Sequence, residues 1–272
     1  MMEHIIGSFI FLLGIIIGSF LNVCIVRMPH EKSVVFPGSH CPSCKKPIVW
    51  YDNVPLLSYI FLAGKCRHCK DKISLRYFLV EFLTGFSFLG LYLYLGLDIL
   101  LLPYLVMISC FIIATFVDFE HRIIPDEASV GGMCAGLIFS LFIPKLHGVM
   151  PNLEYPILAY FHSFGLSILG VLIGGGCIYA MGVLGDFLFK KESMGGGDVK
   201  LLAMIGAFLG WQIALLAFFI APFFGAIFGI IEKIRTKDNT IPYGPFLVLG
   251  ALISLFWGDK IIMFIMSGYG LY

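Results

Sequence analysis

Apolar runs of bilayer-crossing length, separated by short polar links, dominate the chain. Their lengths predict eight helical spans, at about 5–26, 77–97, 99–118, 127–145, 163–186, 198–211, 212–233 and 242–258. No alternation with a period of two is sustained. Helices are then the remaining structure that satisfies every backbone polar group inside hydrocarbon. The sixth run is short: its residues, at a 1.5 Å rise each, cover about 21 Å of a hydrocarbon core ~30 Å thick. Its lead-in, Gly195-Gly196-Gly197, is therefore expected to enter the membrane as non-helical backbone lining protein or a wet cavity. One sizeable polar segment, about residues 27–76, interrupts the pattern after the first run. The expected fold is an all-α polytopic membrane protein of about eight transmembrane helices with one small insert. Its parts are a first helix (1–26), the insert (27–76) and a body of about seven spans (77–272). Residues 146–162 suit an external loop, and the tail 261–272 is apolar but too short to span.

Composition agrees with this picture. Apolar residues make up 59% of the chain and charged residues 13%, more apolar surface than a soluble domain of this length uses. The net charge of +1 says little, but its distribution says a good deal. The insert carries Arg27, Lys32, Lys45, Lys46, Lys65, Arg67, Lys70, Lys72 and Arg76 against only Glu31, Asp52 and Asp71. By the positive-inside rule the insert is cytoplasmic. Threading the spans then puts Arg122, Lys190, Lys191, Lys233, Arg235 and Lys237 on the same side. Only Lys145 and Lys260 fall outside, and both termini are external. The first run lacks a basic n-region and a small-residue cleavage site, so it reads as a retained span. Neither a tandem repeat nor a nucleic-acid-binding signature is visible.

The eight cysteines divide into two groups. Cys24, Cys110, Cys134 and Cys177 lie singly in apolar runs, as small hydrophobes do. Cys41, Cys44, Cys66 and Cys69 form two C-x2-C pairs in the insert, the spacing of a four-thiolate zinc site. A reducing compartment argues against disulfides there. Such a site is coordinatively closed, so its expected role is to staple an insert with too little core to fold alone. His40 and His68 flank the pairs and read as solvated residues rather than ligands.

Two aspartates sit at helix ends on the cytoplasmic rim: Asp118 in VDFEHRIIPDE and Asp198 in MGGGDVKLL. Each has an ordinary explanation, Asp118 as a partner of His121 or Arg122 and Asp198 as a helix N-cap. Together, beside a glycine break and on one face of the membrane, they read as a water-activating pair that shares a proton. Gly195 and Gly197 would supply the turn and a close backbone approach. Asp126, after Pro125, suits an N-cap, and Lys200 an anchor at the headgroups. Gly174-Gly175-Gly176, mid-span, suits helix packing. Glu81, about one turn into the second span, fits snorkelling or a pair with Arg76; Asn22 and Arg27 close the first span in a similar way.

These features together resemble the type IV prepilin peptidases (leader peptidase/N-methyltransferases), membrane aspartic proteases of the GxGD type. The resemblance rests on Gly18-Ser19-Phe20-Leu21-Asn22-Val23 with Arg27 and Pro29, the double CxxC, and Arg76-Tyr77 through Glu81. It continues in Asp118 with Ile124-Pro125-Asp126, in Gly195-Gly196-Gly197-Asp198-Val199-Lys200-Leu201, and in Pro242-Tyr243-Gly244-Pro245-Phe246. It implies that Asp118 and Asp198 are the catalytic pair, that residues 77–272 form the peptidase domain, and that the enzyme sits in the bacterial inner membrane among lipids. The implied substrate is a prepilin or pseudopilin with an N-terminal hydrophobic helix. It is cut after a Gly at the cytoplasmic face, and its new N-terminus is then methylated with S-adenosylmethionine. The insert is linked to that second activity, and the four cysteines kept here favour bifunctionality over a peptidase alone. For the methyl donor, Glu81, Asn22 and Arg27 are the candidate residues. A rival reading, a proton- or cation-coupled transporter, predicts acids near the midplane and an inverted repeat, and neither is seen.

Overall fold

A computed structural model describes residues 2–150, 155–190, 194–236 and 241–268. Lys191 and Lys237, used in the threading, lie outside them, as do 151–154 of the expected loop and 269–272 of the tail. The described chain is helical: α1 (Met2–Arg27), α2 (Leu57–Phe61), α3 (Leu75–Leu95), α4 (Leu101–His121), α5 (Asp126–Phe142), α6 (Pro156–Phe189), α7 (Gly196–Thr236) and α8 (Gly244–Gly268). Among the described residues β pairing is confined to two single bridges, His40 with Pro47 and Lys65 with Lys72. Among the described residues six helices are long and apolar enough to cross a membrane: α1, α3, α4, α6, α7 and α8. The 17-residue α5 is shorter, and α7 is broken at Gly210 (φ 78°, ψ 170°), where the sequence predicts two successive spans. Two expected boundaries move. Pro156 occupies the first turn of α6, where a missing N–H costs nothing, so that helix starts before residue 163. The tail is not a separate segment up to Gly268, because α8 continues through it.

The chain divides into two compact units, Met1–Ile113 and Ala114–Tyr272. In the first, α1 packs along α3 through small residues, with Gly14 and Gly18 facing Glu81, Thr84 and Gly85. Ser74 caps α3 by accepting from the Arg76 N–H at 3.3 Å, and Gly96 ends it in a positive-φ conformation. In the second, α6 lies against α7 and α7 against α8 and α5. Gly170 of α6 and Gly206 of α7 meet backbone to backbone, so tightly that a Cβ on either would collide with the other's carbonyl. The glycine triplet joins this contact at Gly174, whose Cβ would stand 2.7 Å from the Leu202 carbonyl. Outward-facing side chains such as Phe9, Ile16, Phe187, Phe219, Phe223 and Phe264 are apolar, the inverse of a water-soluble surface. Gly206→Ala is expected to destabilise the protein by about 1–3 kcal/mol or more, because the obstructing atoms are backbone and cannot swing aside. Thermal unfolding in detergent measures it.

Candidate active site

Three helix N-termini converge on the acidic patch of the second unit. Asp118, 5% exposed, stands near the end of α4, after which Arg122 takes a left-handed φ of 58° and turns the chain towards Pro125 and α5. Its Oδ2 accepts the Gly244 backbone N–H at 2.9 Å. That N–H is one of the donors left without an intrahelical acceptor at the start of α8, so a carboxylate caps the helix from a distant element. Only glycine permits this approach: a Cβ at 244 would lie 2.9 Å from Asp118 Oδ2 and 3.0 Å from Ile124 Cδ1.

Asp198 is the third residue of α7, inside its first turn, and its N–H donates to the Gly195 carbonyl at 3.1 Å. The N-cap explanation therefore does not hold, because the helix begins before this residue. Gly195 leaves room beside the Asp198 carboxylate, and Gly197 packs against Ile124, with 3.0 Å from a built Cβ to Ile124 Cβ. The expected non-helical lead-in shrinks to Gly195, because Gly196 and Gly197 already belong to α7, and the run brings the start of α7 against the α4–α5 turn. The Asp118 and Asp198 carboxyls are close enough to act electrostatically on each other. Both line one cavity of about 320 Å³, together with Arg122, Ile123, Ile124, Asp126, Gly195, Gly196, Gly197 and Lys200.

Asp126 is not an N-cap either. Pro125 holds the cap position without a side-chain bond, and the Asp126 carboxylate instead takes both of its hydrogen bonds from Lys200 Nζ, at 2.7 and 2.9 Å. Lys200 therefore ties the first turn of α7 to the first turn of α5. Both partners are solvent-accessible, so screening keeps the pair weak. Asp126→Asn should change stability by less than about 1 kcal/mol in thermal unfolding.

In the first unit the four cysteine sulfurs all lie within 4.8 Å of one another, with Cys41 and Cys69 Sγ 3.8 Å apart. A tetrahedron with 2.3 Å metal–sulfur bonds needs about that spacing, so the cluster can hold a metal ion. The two pairs share one backbone pattern. Cys41 N–H donates to Lys46 O, Lys45 N–H to Cys41 O and Ile48 N–H to Ser39 O. Twenty-five residues on, Cys66 N–H donates to Asp71 O, Lys70 N–H to Cys66 O and Ile73 N–H to Gly64 O. The insert thus contains a duplicated knuckle that the sequence reading missed, although C-x2-C-Lys and a following Ile mark both copies. The knuckles are cross-linked by Ser43 to Asp71, and Arg67 pairs with Asp52 through two bonds. The Arg67 hydrogen bonds hold the Asp52 carboxyl below its usual range.

Glu81 is nearly buried; its Oε2 accepts the Leu56 N–H at 2.7 Å, and the carboxyl also bonds Ser19. Asn22 Nδ2 donates to Tyr77 O at 2.9 Å, and the Arg27 guanidinium donates to the carbonyls of Ser33 and Pro37 at 2.9 and 2.6 Å. All three side chains fasten the insert or the α1–α3 pair. Asn22 Oδ1 is the one atom among these three that is buried without a partner. Arg27 and Glu81 meet chain groups here, and Asn22 keeps one acceptor atom free of a chain partner.

The Type IV leader peptidase family model matches residues 105–230, and the Bacterial Peptidase A24 N-terminal domain matches 12–95. The Aeromonas salmonicida "Prepilin leader peptidase/N-methyltransferase" is 32% identical over 96% of this chain and 94% of its own length. The chain belongs to the type IV leader peptidase family. The Pseudomonas aeruginosa protein of the same name is 31% identical over 92% of this chain and 90% of that protein. The Myxococcus xanthus one is 37% identical over 84% of this chain, which spans 63% of that relative's length. No solved structure matches the chain significantly.

For this family member, the residues read one by one single out both aspartates and the cysteines as candidates but give Gly244 no role. The Pro242-Tyr243-Gly244-Pro245 motif was its only signal, and its contribution is a main-chain hydrogen that no side-chain reasoning reveals.

Proposed function

We propose that the protein is a bifunctional membrane enzyme, cutting prepilin leader peptides with Asp118 and Asp198 and then methylating the new N-terminus. The observation that carries the peptidase reading is the pair of carboxyls lining one cavity, ringed by the starts of α5, α7 and α8. One carboxylate takes a proton from a water, whose oxygen attacks the carbonyl carbon of the scissile bond. The other carboxyl donates its proton to the carbonyl oxygen. Collapse of the tetrahedral intermediate passes a proton to the departing amine. No acyl-enzyme forms, so serine- and cysteine-directed reagents leave cleavage intact. Gly195, just before α7, leaves room beside the Asp198 carboxylate, where a substrate helix must unwind to present its carbonyl. Lys200 and Asp126 fix the start of α7 relative to α5.

The insert, rich in Lys and Arg, supports a cytoplasmic position for the knuckles and the aspartates in an inner membrane. Zinc is the ion that four thiolates favour in such a loop, where it has a structural role. S-adenosylmethionine, when bound, supplies an electrophilic methyl group. The free α-amino nitrogen produced by cleavage is the matching nucleophile, and that order of events follows because the nitrogen is an amide beforehand.

The test is incubation of the purified protein with a prepilin and S-adenosylmethionine, followed by intact-mass measurement. The expected product has lost its leader and gained one methyl group. A substrate of unchanged mass overturns the peptidase reading, and a cleaved but unmethylated product leaves a peptidase alone.

A further inference from the structure

The insert exposes an apolar face at an unusual height. Leu57, Ile60 and Phe61 share one side of α2 at i, i+3, i+4 spacing and are 53%, 61% and 83% exposed. Trp50, in the turn before it, is 82% exposed. A water-soluble helix turns such a face inward. Here the opposite face is the one held. The Tyr59 ring lies 5.6 Å from Phe78 of α3, its hydroxyl donates to Ile73 O, and the Leu56 N–H at the head of α2 donates to Glu81. Glu81 is six residues into α3, about 9 Å along the helix axis. α2 is therefore fastened level with the first turns of a membrane span.

What covers the exposed face follows from the attachment of α2 to the first turns of α3. From Tyr59 a run of rings descends the span: Phe78 to Phe82 at 5.9 Å, Phe82 to Phe86 at 4.4 Å, and Phe86 to Phe11 of α1 at 5.2 Å. Phe82 and Phe86 are themselves exposed, as outward residues of a lipid-facing helix are. We propose that α2 and Trp50 form a monotopic membrane anchor, with Leu57, Ile60, Phe61 and the Trp50 indole seated at the boundary between headgroups and acyl chains. A short amphipathic helix flanked by an indole is suited to that layer. The four-cysteine knuckles, whose lysines are exposed, stay in the water above it. The proposal rests on the membrane fold and is independent of the protease mechanism.

The experiment uses the full chain carrying Trp211→Phe and Trp257→Phe, which leaves Trp50 as its one tryptophan. It is reconstituted into phosphatidylcholine–phosphatidylglycerol vesicles brominated either near the headgroup or near the acyl terminus. The expected result is blue-shifted emission quenched most by the shallow bromines. Water-like emission that iodide quenches and bromine does not overturns the proposal. Blue emission that no bromine quenches overturns it too, since a protein surface, such as a second copy of this chain, would then cover the face. Stronger quenching by the deep bromines also overturns it. Should the double variant fail to fold, the wild-type chain is compared with Trp50→Phe. The shallow-quenched component should vanish in the variant, and identical quenching of the two proteins counts against the anchor.

Discussion

Asp118→Asn or Asp198→Asn is expected to abolish leader-peptide cleavage while leaving the protein folded and its metal content intact. Asparagine keeps the shape of the side chain and can still accept the Gly244 N–H at position 118, so the local packing survives. What is lost is the titratable oxygen. General acid–base catalysis by a positioned group is worth about 10²–10⁴-fold, and the proposed mechanism needs each residue, one as base and one as acid. The drop should therefore lie beyond that range's lower end in either variant. The check is product formation by mass spectrometry beside a thermal unfolding curve. Wild-type turnover in either variant removes that aspartate from the mechanism. Loss of activity together with collapse of the unfolding transition would instead point to a structural role.

Cys44→Ser or Cys69→Ser should release the metal and unfold the insert while the membrane helices persist. Between residues 28 and 74 only Cys41, Gly64 and Cys66 are buried, so the segment has almost no hydrophobic core. Stability must come from a cross-link, and structural zinc supplies about 10–16 kcal/mol in comparable zinc-finger peptides. The Arg67–Asp52 pair, with its guanidinium half-exposed, is too weak to substitute for it. Elemental analysis and limited proteolysis within residues 28–74 measure the two halves of the prediction. Intact wild-type protein that contains no metal would defeat it. Chelation of wild-type protein should reproduce the proteolytic sensitivity of the variants.

Much of the architecture was legible because membrane spans advertise themselves by length and apolarity. The split of the stretch after Asp198 into two segments near residue 211 anticipates the break at Gly210. Helix ends were less visible: nothing in an apolar run marks where hydrogen bonding starts, so Pro156 rather than hydropathy sets the first turn of α6. In the candidate site, the aspartates stood out because charge in an apolar context is costly, and the cysteines because their spacing is specific. Partners were harder to see. Lys200 reaches a carboxylate 74 positions away, and Glu81 a backbone amide 25 positions away, so neither contact has a local signature. The 25-residue duplication of the knuckle was written in the chain but hidden by its different intervening residues.

The donor that orients Asp118 belongs to the peptide link at position 244, which has a consequence for anyone dissecting the enzyme by mutagenesis. An alanine there would not remove the hydrogen; it would wedge a methyl group against Asp118 and Ile124. A proline would delete the hydrogen but add a ring in the same crowded place. Replacing the amide by an ester through chemical ligation is the substitution that subtracts one proton and preserves the outline, and it alone would weigh that single contact.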